Sequence, residues 1–238
     1  MNISLDNIEA VNFNGVACDV VVFNGVKVWE SFDPHTTLLL KSVDGAVVDK
    51  SQNGYAIINN GATVNEQGFT LGATSGWLDI THDCFNNTGD FTIEWIEYSL
   101  GAAVQTTGFF CAGHSMSRSF GGLLIGYNVS KVYAGTKYKI WNIISGWDVK
   151  PKELHVNNLY SFQRRGKVFS LYKNGVQIAT IAPNNGDSVL YKTADTNVAI
   201  GFYNGLAGYN AHIKEFKISN IARYTADFTP DLETIFKR

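Results

Sequence analysis

Cysteine, charge, methionine and long apolar runs are all scarce in this chain, and each scarcity removes a class of protein. The three cysteines among 238 residues, Cys18, Cys84 and Cys111, are an odd number with no CxxC spacing. They supply neither a disulfide framework nor a thiolate metal site, and a chain of this length can build a core without either. A formal net charge of -2 and a pI near 6.2 leave no broad positive field for nucleic acid. Arg164, Arg165 and Lys167 do cluster, but around Gly166, which reads as a solvated hairpin turn. No apolar run approaches the ~20 residues of a membrane span, so no membrane insertion is expected. The start, with Asp6 and Glu9, lacks the basic and apolar regions of a signal peptide, which predicts cytoplasmic synthesis without export.

Helical periodicity is nearly missing too. Only the tail, 231–237, repeats apolar residues at helical spacing, through Leu232, Ile235 and Phe236, and it predicts a single terminal turn. What the chain has in quantity is glycine (23), phenylalanine (15) and tyrosine (11), with short apolar runs between Gly, Asn, Asp and Ser. That pattern describes many short strands. Strands are predicted at 38–43, 56–58, 68–71, 77–80, 91–97, 108–111, 123–127, 138–143, 159–164, 168–173, 177–181, 198–202 and 212–218. Their number and spacing predict an all-β fold, a two-sheet antiparallel jelly-roll sandwich.

A small N-terminal β-meander precedes it. Phe13-Asn14-Gly15-Val16 returns as Phe23-Asn24-Gly25-Val26, and Asn-Gly suits the positive φ angles of a tight hairpin turn. The pattern stops at Ser31-Phe32-Asp33-Pro34, where the proline cannot join a central ladder, so the expected domains are 1–32 and 33–238. A unit of that size cannot bury all its apolar residues, which makes Val20, Val22, Val28 and Trp29 candidates for an assembly surface.

Glu94 and Glu97 share one predicted strand, but a spacing of three sends their side chains to opposite faces, where they cannot flank one glycosidic bond unless a bulge intervenes. Gly113-His114-Ser115-Met116-Ser117 falls short of a nucleophile elbow and lacks the strand-turn-helix setting. The five histidines, His35, His82, His114, His155 and His212, show no metal-ligand spacing. Asp44, Asp49 and Asp83 read as solvated loop acids, and no phosphate-binding or calcium-loop motif occurs.

Three stretches carry a resemblance. Gly89-Asp90-Phe91-Thr92-Ile93-Glu94-Trp95, then Leu171-Tyr172-Lys173-Asn174-Gly175-Val176, then the run from His212 to Ser219 with Ala222-Arg223-Tyr224-Thr225 and Phe228-Thr229-Pro230, are similar to the laminin G type of the concanavalin A-like lectin/glucanase superfamily. The motifs keep that family's order over roughly residues 38–230. The resemblance implies a jelly roll closed by an anchoring aromatic, with Arg223 and Tyr224 structural. Related domains often hold calcium at a loop rim, but no residue here matches a motif for it, and no cofactor is expected. Together with the Asn-Gly-Val-Lys-Val-Trp ending at Trp29, the jelly roll resembles bacteriophage tail and tail-fibre proteins.

The segment 113–150 departs most from the family pattern and is rich in aromatics. Aromatic faces stack on sugar rings while amides and carboxylates fix the hydroxyls, so Tyr133, Trp147 and Asp148 form a candidate glycan contact set. Trp141 reads instead as a core residue, and Trp147 reads equally well as a cap on that core. Tyr209 and Asn210 close a second candidate rim that begins at Tyr203. The expectation is a non-enzymatic virion protein, a tail fibre or tail tip, that forms homo-oligomers, contacts other virion proteins and binds a host surface glycan. The alternatives are a structural or decoration protein that binds no sugar and, further off, a polysaccharide hydrolase.

Overall fold

In the computed structural model the chain divides into two compact units, residues 1–34 and 35–238, where the sequence places the break after residue 32. The structure describes residues 11–13, 16–18, 20–23, 26–30, 33–72, 76–81, 84–85, 89–100, 107–112, 123–128, 131–136, 139–145, 155–182, 198–203, 206–207 and 209–235.

The first unit holds two hairpins. Val11–Phe13 pairs with Val16–Cys18, and Val20–Phe23 pairs with Val26–Glu30. The ladders close at Phe13 with Val16 and at Phe23 with Val26, on either side of the two Asn-Gly pairs. Both hairpins turn at the Asn-Gly pairs that the sequence marks, and among the described residues each is a two-stranded antiparallel ladder.

The second unit is an antiparallel sandwich of a nine-stranded and a seven-stranded sheet, as expected, with no helix among the described residues. The larger sheet runs in the order Val176–Ile181, Val168–Lys173, Asn157–Arg165, Phe91–Ser99, Ala211–Ser219, Thr36–Val43, Ala46–Asp49. The hairpin of Thr63–Asn65 and Gly68–Leu71 adds to it by pairing with the first residues of Ala211–Ser219. The smaller sheet runs Lys139–Ser145, Lys131–Thr136, Leu124–Asn128, Thr107–Ala112, Val198–Ile200, Trp77–Ile80, Ile58–Asn60. Segment 113–150, where two strands are predicted, contributes three to that sheet, Lys131–Thr136 being the addition.

Alternation explains which face meets the core. Phe91, Ile93 and Trp95 point inward, to join Leu38, Leu40, Phe109, Phe110, Phe162, Phe169 and Phe216 between the sheets. Each such side chain contributes roughly 1.5–3 kcal/mol by leaving water. At one end of this core the rings of Tyr160, Trp95, Phe109 and Tyr209 follow one another at 5.3, 4.4 and 4.5 Å.

Thr92, Glu94 and Ile96 point the other way, yet none is exposed. Residues 220–235 cross that outer face and cover it. Tyr224 stacks on Phe228 at 3.8 Å, gives its hydroxyl hydrogen to Glu94, and exchanges backbone hydrogen bonds with the Gln163 amide. Arg223 reaches Ser219 and lies 3.8 Å from Glu94. Farther along, Ile235 completes a second apolar cluster with Leu39, Ile96 and Leu159. Over its described part, 231–235, the tail is not the expected helical turn: Asp231 Oδ1 accepts the N–H groups of Glu233 and Thr234, and these residues are held in bends. Glu215 fixes its end by accepting from the Ile235 amide and the Thr234 hydroxyl. Burial of Ile235 and these bonds to the sheet outweigh the local helical pattern, which one turn cannot stabilise alone.

The tight turn at Asn174-Gly175 is the crossing point. Both residues have positive φ, 50° and 81°, as a two-residue hairpin turn of this kind requires. A Cβ on Gly175 would come within 1.8 Å of the Phe228 carbonyl oxygen, so glycine is needed both by the turn and by the chain packed against it.

Candidate functional site

At the end of the larger sheet not covered by the tail, the outer face opens into a groove of about 440 Å³. Its floor is one row of directly paired residues across the strands: Thr70 opposite His212, His212 opposite Tyr98, and Tyr98 opposite Asn157. Opposed residues share a face, with Cβ atoms ~5 Å apart, so the row presents hydroxyl, imidazole, phenol and amide side by side. Asn65 and Gln67, from the turn of the added hairpin, and the exposed Leu100 complete the walls with Lys214.

Two backbone irregularities build this end. Ile96 faces Glu215 and Glu97 faces Ile213, which leaves Lys214 as the extra residue of a β-bulge and turns it toward the groove. Gly68, at φ 145°, lets the added hairpin approach: a Cβ there would lie 2.1 Å from the Ile213 carbonyl oxygen. Beside the floor, His155 has a positive φ of 67° and its ring lies 5.6 Å from that of Tyr98. Lys214 pairs with the exposed carboxylate of Glu233. The Thr70 hydroxyl meets His212 Nδ1 at 3.0 Å, while the buried Nε2 has no hydrogen-bond partner among the described residues.

The two glutamates examined for catalysis face apart. Glu94 lies under the tail with Tyr224 and Arg223. Glu97 faces the core, where it accepts hydrogen bonds from Trp95 Nε1 and the Tyr209 hydroxyl. Desolvation by burial raises the pKa of Glu97, and the two hydrogen bonds and Lys173 only partly oppose it. The bulge at Ile96/Glu97 does not bring the two together, because the added residue is on the partner strand. Among the described residues no three of His, Cys, Asp and Glu gather closely enough to hold a metal ion.

The expected glycan residues do not converge on this groove. Tyr209 is 5% exposed, its ring against Phe109 and its hydroxyl on Glu97, so its assignment to a ligand-facing rim is corrected: no ring face is left for a sugar. Asn210, half-buried at a positive φ of 51°, leads into Ala211–Ser219. Tyr133 lies in Lys131–Thr136 of the smaller sheet, and its side chain is outside the described residues. Trp147 and Asp148 lie outside them altogether, as do the side chains of Val20, Val22, Val28 and Trp29 on the second N-terminal hairpin. His212 is weighed in the sequence only as a metal ligand, and Tyr98 and Asn157 fall just outside the predicted strands 91–97 and 159–164, in Phe91–Ser99 and Asn157–Arg165.

No family model and no curated protein matches the chain. Solved structures do. The crystal structure of the receptor binding domain of botulinum neurotoxin C/D mosaic serotype matches with a TM-score of 0.61 at 15% identity, over 80% of this chain and 49% of that one. The binding domain of botulinum neurotoxin DC in complex with SialylT matches with a TM-score of 0.62 at 14% identity, again over 80% and 49%. At this identity the likeness is one of fold, and the chain spans about half the length of the domains it matches.

Proposed function

We propose that the sandwich is a non-catalytic glycan-recognition module, a laminin G type jelly roll of the concanavalin A-like class, carried by a bacteriophage tail-fibre or tail-tip protein. The observation that carries this reading is the floor row Thr70, His212, Tyr98, Asn157, flanked by Asn65, Gln67 and Leu100. A sugar offers alternate C–H faces and hydroxyls, and a groove that sets an aromatic ring and an aliphatic side chain among amides fits both. The fold neighbours named as receptor-binding domains, one in complex with SialylT, support a recognition role for this kind of sandwich. The facing of Glu94 and Glu97 to opposite sides supports an absence of hydrolysis by that pair.

In this reading the N-terminal hairpins dock on other virion proteins or on a second copy of the chain. The test is a glycan array probed with the full chain, with and without calcium, beside a Tyr98→Ala/Asn157→Ala variant. Binding to a defined glycan group that the variant loses, at unchanged thermal stability, supports the proposal. Absence of any glycan binding, or full binding by the variant, overturns it.

A further inference from the structure

Resting on that reading, we propose that the groove selects glycans bearing a carboxylate, with His212 and Lys214 as the anion-binding pair and Glu233 as an internal carboxylate that the ligand displaces.

The lining is uneven in charge. Among the described residues that line it, His212 and Lys214 alone can carry positive charge, and none is acidic. Glu66, between the two amide residues of the hairpin turn, is exposed and is not part of the lining. Lys214 is aimed there by the bulge, and a carboxylate already rests on it. That carboxylate belongs to Glu233, whose side chain is 77% exposed, against 28% for Lys214. An ion pair so open to water is weak, so exchange of Glu233 for another carboxylate costs little. The C-terminal segment thus marks where an acidic ligand group would sit.

His212 supplies the second contact. When the Thr70 hydroxyl donates to Nδ1, the proton of the ring is on Nε2, a buried donor without a partner among the described residues. Such a donor is costly while unpaired, and an oxygen of an acidic sugar recovers it once the ring edge, shielded in the free protein, turns to the groove. Tyr98, Asn65, Gln67 and Asn157 are then left to hold the neutral hydroxyls. Loss of Glu233 should help the ligand, and loss of Lys214 should remove its preference for acid, which a groove for neutral sugars would not show.

The experiment is calorimetric titration of the full chain with two matched pairs: sialyllactose against lactose, and a uronate-containing oligosaccharide against its carboxyl-reduced form. At least one acidic member should bind about tenfold more tightly than its neutral counterpart, a gain of the order of one charge-assisted contact. Whichever pair shows the gap identifies the type of acid. Lys214→Gln should close the gap, Glu233→Gln should raise affinity for the acid several-fold without changing that for the neutral sugar, and His212→Phe should weaken the acid. Thermal unfolding of each variant separates these effects from misfolding. Equal binding of acidic and neutral members overturns this inference and leaves glycan recognition standing, as does an acid preference that Lys214→Gln keeps. If no member binds and the array is also blank, both fall.

Discussion

The indole N–H of Trp95 and the hydroxyl of Tyr209 converge on the same carboxylate oxygen of Glu97, inside the sandwich. Burial raises the pKa of Glu97 above its ordinary 4.5, so the folded protein holds this proton more tightly than the unfolded chain does. Between the ordinary value and the raised one, the folded state binds more protons, and stability falls as pH rises. The contribution is complete below the ordinary value and is lost as pH climbs through the raised one. Glu97→Gln keeps an oxygen for both donors without a charge to bury. It is expected to stabilise the fold at neutral pH by on the order of 1 kcal/mol and to flatten the stability profile above pH 4.5, as read by urea unfolding across pH. A variant less stable than wild type at pH 7 would show that the charged form is the one the core favours.

Gly68→Ala is expected to cost about 2 kcal/mol or more, because the new methyl meets the Ile213 carbonyl and the backbone there has φ 145°. Since the hairpin it anchors carries Asn65 and Gln67, glycan affinity should fall as well. Wild-type melting and binding in this variant would mean that the hairpin does not need its close approach.

Ile235→Ala opens the cluster formed with Leu39, Ile96 and Leu159, and is expected to destabilise by about 2–4 kcal/mol. Thermal unfolding measures it. A change under about 0.5 kcal/mol, the ordinary range for surface positions, would show that the tail is not part of the folded core.

Most strands of the sandwich were legible because their signal is local. The alternation in Phe91, Ile93 and Trp95 and the paired runs on either side of Asn174-Gly175 each mark an element without reference to the rest. The strands Ala46–Asp49 and Thr63–Asn65 were not foreseen, for they are short and gain their place from pairing with Thr36–Val43 and Gly68–Leu71. The tail misled because Leu232, Ile235 and Phe236 have helical spacing, while the sheet beneath decides the conformation. For the site, the sequence directs attention to aromatics in long connections, whereas the groove arises from residues brought into one row by strand order. Tyr98, His212 and Thr70 lie far apart in the chain, and no local pattern joins them. Tyr209 shows the converse: a polar aromatic beside Asn and Gly reads as a rim residue until its hydroxyl is seen to meet a buried carboxylate.

The full chain is expected to run as an oligomer by light scattering, through the second N-terminal hairpin, with Val22→Ser/Trp29→Ser shifting it toward monomer. A wild-type monomer at all concentrations would remove the assembly role of Val20, Val22, Val28 and Trp29 and leave the recognition module alone.

The most direct test of glycan recognition on the outer face is a crystal structure of the full chain with the glycan that binds it best on the array. The sugar is expected over the Tyr98 ring, with hydrogen bonds to Asn157 and His212. A sugar seated instead on the smaller sheet, or on residues 146–150, would contradict the assignment of the groove.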